Sequence, residues 1–284
     1  MGASALAAVL WGFGGIFAAL TYAPALVLSF YRIWIGAVLL SLISVATGRR
    51  VTWATMRGTW VGGLLLAADM SMFYSAVKLT SIVDATVIGA LQPALVIIAA
   101  RQLFGEHVRR SDVAWIVLAM LGVTATVLGP GVASTHQLIG DLLAVGALLS
   151  WSAYWLVAKR AREVHGALQY TAGVTIMAAL AITPIVLVSG QSLSRVHAGD
   201  WTWIALLAVV PGSGHLVMNW AHRYVDASIS SVIGCLSPLV AAIAAIPILD
   251  QSLTALQVLG VLVGVGAIAV VAARHRQPAQ SLLE

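Results

Sequence analysis

The sequence predicts an all-α membrane protein of ten transmembrane helices, arranged as two inverted five-helix repeats with both termini in the cytoplasm. Three observations predict this fold class: the composition, ten apolar segments of spanning length, and a sequence repeat shared by the two halves. Of the 284 residues, 61% are hydrophobic and only 9% are charged, whereas soluble domains carry about 25% charged residues. So few charges exclude an ordinary cytoplasmic enzyme and a disordered regulator, and the single cysteine excludes a disulfide scaffold.

The ten predicted spans follow from the length that a bilayer requires. A helix needs about 20 mostly apolar residues to cross the hydrocarbon core. Because no Lys or Arg precedes the first such segment, we interpret it as a span rather than a signal peptide. The spans are predicted at roughly 5–22, 26–47, 58–78, 82–104, 111–129, 137–158, 167–190, 200–222, 226–248 and 253–273.

The basic residues predict the orientation of these spans. With a cytoplasmic N-terminus, the inner loops and the C-terminal tail hold 12 of the 15 Lys and Arg residues, and the outer loops hold only Lys78 and Arg195. The remaining one, Arg32, lies within the second span. The positive-inside rule therefore favours both termini in the cytoplasm. Arg outnumbers Lys, and the residues Ala, Val and Gly are abundant. We therefore expect a multi-pass protein of the bacterial inner membrane.

The two halves of the sequence resemble each other. The heptapeptide at 87–93, VIGALQP, recurs at 232–238 as VIGCLSP, with five of seven residues identical at an offset of 145. Trp11 and Trp151 pair in the same way at an offset of 140. We therefore predict that the two halves arose from one duplicated unit.

The number of spans in each half makes the repeat an inverted one. Residues 1–130 and 137–273 each contain five predicted spans, and 274–284 form a polar cytoplasmic tail. Because five is odd, the second half starts on the opposite side of the membrane. Such inverted repeats are typical of alternating-access transporters that bind substrate near the midplane between the halves. A duplication without a transport role is the other interpretation.

Short motifs appear in a characteristic order in both halves. In the first half they are Leu10-Trp11-Gly12, Phe30-Tyr31-Arg32, Gly89-x-x-x-Pro93 and Leu103-Phe104-Gly105-Glu106; in the second they are Gly140-Asp141-Leu142-Leu143, Ser150-Trp151 and His215-Leu216-Val217-Met218-Asn219-Trp220. In order and spacing the chain resembles the EamA-type members of the drug/metabolite transporter superfamily. The resemblance implies ten helices in two inverted halves and secondary export of small metabolites, amino acids among them. One departure is Gln251, where the second half of such proteins often carries Glu.

Two ionisable residues lie inside predicted spans. Burying such a group at a helix centre costs about 2.5–3.5 kcal/mol on insertion scales, so these positions are usually functional. Arg32 and Asp69 lie on antiparallel neighbouring spans at similar depth, about 9 and 13 Å from the outer ends at the helical rise. They form either a structural ion pair or part of a substrate cavity. In the cavity, Arg32 would attract a carboxylate, and Asp69 would hold an ammonium group or a coupling proton.

Two prolines occupy equivalent positions in the predicted fourth and ninth spans. Pro93 follows Gln92, and Pro238 follows Ser237. A proline removes one hydrogen bond and kinks a helix, so that freed carbonyls and the neighbouring polar side chain can line a cavity. We predict helix kinks at both prolines and substrate contacts from Gln92 and Ser237; a packing kink without ligand contact is the alternative.

Further candidates lie in the predicted sixth and eighth spans. Trp151 and Tyr154 share one helix face, and Trp11 is the repeat mate of Trp151; these rings could stack on a substrate or simply pack in the core. His215 and Asn219 also share a face, one turn apart, and could bind substrate or join helices. Asp69 and His215 are the candidates for proton coupling.

The expected partners are a small-molecule substrate and the lipid bilayer. The sequence contains no zinc-protease motif, nucleophile elbow or phosphate-binding loop. We therefore predict a transporter rather than an enzyme, with no cofactor, no metal and no nucleic-acid partner. A translocase of lipid or polyprenyl-linked substrates is the alternative, and an intramembrane enzyme is less favoured. Proton coupling is one further possibility. A homodimer formed through Gly260-x-x-x-Gly264 is another, although this glycine motif could equally pack against a helix of the same chain.

Overall fold

The computed structural model describes residues 1–79, 85, 88–127, 138–250 and 252–275, together with every side chain in these ranges except that of Lys78. This part of the chain contains helices and no strand. Val87, Gln251 and the tail from Arg276 onward lie outside the described residues. The helices are α1 (Gly2–Ala19), α2 (Ala25–Ala46), α3 (Trp53–Leu79), α4 (Gln92–Phe104), α5 (Arg110–Val127), α6 (Leu138–Ala161), α7 (Ala167–Val188), α8 (Asp200–Ala221), α9 (Ala227–Gly234), α10 (Leu236–Leu249) and α11 (Ala255–Arg274).

The lengths and composition of these helices are those of a multi-pass membrane protein. Within the described residues, nine helical segments are long and apolar enough to cross a bilayer, α9 and α10 counting together as one segment. The shorter helix α4 covers only the second part of the predicted fourth span, because a turn precedes Gln92. In the first part, residues 80–84, 86 and 87 are not described. Most boundaries agree with the predicted spans to within a few residues, and α3 begins five residues before its prediction.

The two proline-containing spans are interrupted at matching places. Helix α4 begins after a turn at Leu91 and carries Pro93 in its first turn. In the second half, Cys235 separates α9 from α10, and Pro238 lies in the first turn of α10. Because a proline nitrogen cannot donate to the preceding turn, a helix start just before it leaves no additional donor unsatisfied. Each interruption therefore falls inside one copy of the repeated heptapeptide.

Several helix ends are determined by local sequence. Helix α2 ends just before Gly48, and α4 ends at Gly105; both glycines have positive φ (70° and 67°), a conformation open to glycine at little cost. Helix α11 starts with a capping box, in which the Thr254 side chain accepts from the Gln257 backbone and the Gln257 side chain accepts from the Thr254 backbone. These ends set the short loops that keep consecutive helices adjacent.

Helices from the two halves pack against each other throughout the molecule. Helix α3 packs on α6 and α7, α1 on α8 and α10, and α2 on α7. The largest core cluster joins residues of α1, α2, α3, α6, α7 and α8, and a second cluster joins α5, α9, α10 and α11. The resulting interior is therefore an interface between the halves rather than two separate cores.

Helices α5 and α11 approach each other through glycines. A Cβ added to Gly122 would lie 2.5 Å from the backbone nitrogen of Gly264, and one added to Gly260 would lie 2.7 Å from the carbonyl oxygen of Gly122. The Gly260-x-x-x-Gly264 motif is thus used inside the chain, where small residues allow close backbone contact.

Candidate functional site

Aromatic rings from two helices, α1 and α6, meet around His215 of α8. The ring centroid of His215 lies 5.3 Å from that of Trp11, 5.7 Å from that of Trp151 and 6.3 Å from that of Tyr154. Trp11 and Trp151 are themselves in edge-to-face contact at 5.3 Å, and Trp155 lies 5.4 Å from Trp151. We call Trp11, Trp151, Tyr154, Trp155 and His215 the aromatic cluster. Edge-to-face and offset pairs at these distances are favourable beyond their burial.

A glycine on α8 makes room for Trp11. A Cβ added to Gly214 would lie 2.9 Å from both Cδ1 and Nε1 of the Trp11 indole. The buried Nε1 of Trp11 has no hydrogen-bond partner among the described residues, nor has Nδ1 of His215. The cluster therefore contains two buried polar atoms that a ligand or water could satisfy.

Arg32 is held by a tyrosine rather than by Asp69. Its Nη1 donates a 2.7 Å hydrogen bond to the hydroxyl of Tyr74 on α3, and both side chains are buried. An ion pair between Arg32 and Asp69 is not among those formed by the described residues. Asp69 is half-buried. The predicted structural ion pair is therefore not formed in this conformation.

A cavity of about 160 Å³ lies between α2 and α8, with residues of α3 and α7 completing its wall. Two of the predicted site residues, Arg32 and His215, line it. Ser213 and Thr175 are the other polar lining residues, and the remaining lining is apolar or glycine. Asp69 is not part of the lining, although its neighbour Met70 is.

Asn219 is used to join helices. Its Nδ2 donates to the Tyr154 hydroxyl at 3.1 Å and to Oγ1 of Thr171 at 3.0 Å. The side chain is 1% exposed. A side-chain amide engaged in this way connects α6, α7 and α8, and it leaves little free for a substrate in this conformation.

Gln92 and Ser237 take different positions. Gln92 is buried, and its Nε2 has no partner among the described residues. It lies one turn before Val96, which packs in the same cluster as Trp11 and Trp155. Ser237 is half-buried, and its carbonyl oxygen would lie 2.9 Å from a Cβ at position 12. Gln92 therefore has a buried amide nitrogen that a ligand or water could satisfy.

Several polar side chains form hydrogen bonds near the C-terminal ends of α6 and α8. Lys159 donates to the Val225 carbonyl at 2.7 Å, and Nε of Arg162 donates to the Asn219 carbonyl at 2.6 Å. His222, just beyond α8, is 1% exposed. Burial, together with the positive charges of Lys159 and Arg162, lowers the pKa of His222 to about 3. His222 is therefore neutral at physiological pH.

Glu106 caps the start of α9. Its carboxylate accepts hydrogen bonds from the backbone nitrogens of Ala227 (2.8 Å) and Ser228 (2.9 Å) and from the Ser228 hydroxyl (2.7 Å). A negative charge at a helix N-terminus is stabilising. Burial and the nearby carboxylate of Glu106 raise the pKa of Asp226. The α4–α5 loop is in this way joined to the second half of the chain.

Sequence reasoning missed several side-chain contacts. Tyr74 holds Arg32, Thr171 holds Asn219, and Asp112 at the start of α5 pairs with Arg274 (3.1 Å). The available signal was chemical: a hydroxyl or carboxylate inside an apolar span needs a partner. Which partner it finds depends on how each helix is rotated, and a single sequence does not contain that information.

Comparison with known proteins identifies a family. A model of the EamA-like transporter family matches residues 2–128 and, separately, 138–273. Among curated proteins, the chain is 26% identical to an uncharacterized transporter, YyaM, of Bacillus subtilis, over 60% of this chain and 58% of that protein. It is 30% identical to the threonine/homoserine exporter RhtA of Salmonella typhimurium, over 69% of this chain and 64% of that protein. These alignments cover less than two thirds of either relative.

A solved crystal structure has the same fold. It aligns with 97% of this chain and 98% of its own at a TM-score of 0.82. At 20% identity, this likeness concerns the fold alone.

Proposed function

The chain belongs to the EamA-like transporter family, and on that premise we propose that it is a secondary transporter that exports small metabolites of the amino-acid class by alternating access. One observation carries the proposal: a cavity with Arg32 and His215 in its wall lies beside an aromatic cluster built by both halves of the chain. Ligand sites are typically apolar concavities with a few convergent polar groups.

The roles of the residues follow from their chemistry. Arg32 binds the substrate carboxylate, and Tyr74 orients its guanidinium through one hydrogen bond, which leaves the other guanidinium donors for the ligand. Asp69 holds the ammonium group or the coupling proton, with His215 as a second titratable group. Trp11 and Trp151 contact the apolar part of the substrate. The characterised relative, an exporter of threonine and homoserine, supports amino acids as the class.

Alternating access requires two conformations related by exchange of the halves. The repeated heptapeptides, the coincident interruptions before Pro93 and Pro238, and the contact between the repeat mates Trp11 and Trp151 support an inverted repeat around the cavity. In the proposed orientation both termini are cytoplasmic, as the distribution of basic residues favours, and the protein lies in the cell membrane. Exchange of the halves then moves the bound substrate from one side to the other.

The test is transport of radiolabelled amino acids by purified protein in liposomes, with and without a pH gradient. Wild type is compared with Arg32→Gln, with Asp69→Asn and with Arg195→Gln, whose residue is exposed in the α7–α8 loop. We expect saturable uptake in wild type and Arg195→Gln, and loss of at least tenfold in Arg32→Gln. Asp69→Asn should keep exchange but lose the response to the gradient.

Three outcomes would contradict parts of this proposal. Absence of uptake for every amino acid, with folded protein in the vesicles, would exclude the substrate class. Equal uptake by Arg32→Gln and wild type would remove Arg32 from the site. A gradient response retained by Asp69→Asn would move the coupling role away from that carboxyl group.

A further inference from the structure

The cavity between α2 and α8 has a charged residue at one end of its α2 wall and apolar residues along the rest of that wall. Arg32 is the charged residue. Beyond it, Ile33, Gly36, Leu40 and Ile43 line the cavity at spacings of three or four residues, so they form one continuous stripe along α2. A ligand with a charged head and an apolar chain matches this arrangement along its length.

The cavity opens sideways. Three of its lining residues have exposed side chains: Leu39 (37%), Ile43 (47%) and Val209 (51%). Val209 lies nine residues after the start of α8 and twelve before its end, which places it about 14 and 18 Å from the helix ends. Leu39 lies about 10 Å from the nearer end of α2 by the same rise. Apolar residues exposed at these depths face hydrocarbon, so the mouth meets the bilayer.

Two polar groups in the cavity wall are incompletely satisfied. His215 is 8% exposed and lines the cavity, and its Nδ1 has no hydrogen-bond partner among the described residues. Arg32 lines the cavity and uses Nη1 for the Tyr74 hydroxyl, which leaves its other guanidinium donors for a ligand. A buried guanidinium with free donors favours an anionic partner of planar geometry, and a carboxylate is one.

Volume limits how much of a ligand is enclosed. The cavity of about 160 Å³ is smaller than the roughly 300–1,000 Å³ that encloses a whole drug-sized ligand. A head group and a few carbons fill it, and a longer chain continues through the mouth.

We infer that this cavity binds an amphipathic monocarboxylate, with its carboxylate on Arg32 and its apolar chain along the α2 stripe, and that this ligand exchanges directly with the bilayer. The inference rests on the proposed function, and it extends the substrate class from water-soluble amino acids to carboxylates with a lipid-soluble chain.

Binding of straight-chain carboxylates to the full chain in lipid nanodiscs tests whether the ligand's apolar chain lies along the α2 stripe. The probes are butanoate, octanoate and the neutral octanamide, with empty nanodiscs subtracted. At about fourfold per buried methylene, two methylenes in the cavity make octanoate at least tenfold tighter than butanoate. Arg32→Gln should abolish the preference for octanoate over octanamide. Equal affinity for butanoate and octanoate would overturn the inference.

A pair of glycines supplies a matched variant and control. A Cβ added to Gly212 or to Gly266 would meet no atom within 4 Å, so neither substitution forces a clash at that atom. Gly212 lines the cavity, whereas Gly266 is exposed on α11. Gly212→Leu should therefore weaken octanoate binding at least tenfold, and Gly266→Leu should leave it unchanged. Identical affinities in the two variants would place the ligand elsewhere.

The sideways opening has its own test. A spin label on Val209→Cys should be relaxed more by oxygen, which concentrates in lipid, than by a water-soluble nickel chelate, and octanoate should reduce the oxygen effect. Unsubstituted protein is the labelling control, because its single cysteine, Cys235, is buried. Greater access for the nickel chelate would overturn exchange with the bilayer.

Failure of this inference and failure of the proposed function are distinguishable. If amino acids cross the membrane in an Arg32-dependent way but chain length has no effect on binding, transport stands and the amphipathic class fails. If octanoate binds as expected but no amino acid is transported, the cavity stands and the amino-acid proposal fails.

Discussion

The contact between α5 and α11 makes a sharp prediction for Gly260→Ala. The new Cβ would lie 2.6 Å from the backbone nitrogen of Thr126, 2.7 Å from the carbonyl oxygen of Gly122 and 2.8 Å from Oγ1 of Thr126. Two of these three atoms belong to the backbone of α5, so a side-chain rotation alone does not relieve the overlap. The helices must separate, and they lose the packing that drives their association in a bilayer.

The expected magnitude is the difference between two terms. Overpacking typically costs about 1–3 kcal/mol, and three overlaps below 3.0 Å place Gly260→Ala at the upper end. Alanine in a helix interior gains about 1 kcal/mol over glycine. We therefore expect a net loss of about 2 kcal/mol. Gly266→Ala on the same helix has the higher helix propensity of alanine without a steric overlap, since nothing lies within 4 Å of the new Cβ. This variant should therefore be neutral or stabilising by up to about 1 kcal/mol.

The assay uses the single buried cysteine. A thiol-reactive fluorophore reports unfolding when Cys235 becomes accessible, so a heating ramp in detergent yields a midpoint for each variant. The expected order of midpoints is Gly260→Ala lowest, then wild type, then Gly266→Ala. Equal midpoints for the two alanine variants would refute the packing argument. Loss of a cross-linked dimer by Gly260→Ala, with an unchanged midpoint, would show instead that this glycine faces a second copy.

Three further predictions concern positions outside the membrane spans. Glu106→Gln should lower the unfolding midpoint by the equivalent of about 1–3 kcal/mol, because the α9 start loses a charged acceptor, whereas exposed Glu163→Gln should have no effect. The pKa of His222 is lowered to about 3 from an ordinary 6.5, so the unfolded state binds the proton first as pH drops below 6.5. The free energy of unfolding of the wild type should therefore fall, by about 2 kcal/mol at pH 5. His222→Gln should reduce this dependence of stability on pH, and the exposed control His107→Gln should not. Asp250→Gly should raise the midpoint by the equivalent of about 1 kcal/mol in the free energy of unfolding, since Asp250 has a φ of 52°.

Each of these predictions has a contradicting result in the same thermal assay. Equal midpoints for Glu106→Gln and Glu163→Gln would mean that the cap contributes nothing to stability. An acid dependence that His222→Gln leaves unchanged would assign the titration to another group. A lower midpoint for Asp250→Gly would mean that the aspartate side chain contributes more than its backbone conformation costs.

The sequence by itself determined the class of molecule. Spanning segments are a local property, since about 20 apolar residues suffice to cross a bilayer, and the structure confirms helices of that kind in the described residues. The resemblance to the EamA family is confirmed by the family match. Helix kinks at Pro93 and Pro238 could be predicted from the sequence, because a proline disturbs its own helix. Orientation, the inverted repeat and the substrate stay predictions.

Only the tertiary structure decided which side chains meet. Arg32 and Asp69 share similar predicted depth, yet Arg32 bonds to Tyr74, and Asn219 is used between helices rather than left free. The Gly260 motif likewise packs inside the chain. The physical reason is that periodicity specifies which residues share a helix face, whereas partner choice depends on the rotation and approach of neighbouring helices, which packing of the whole bundle determines.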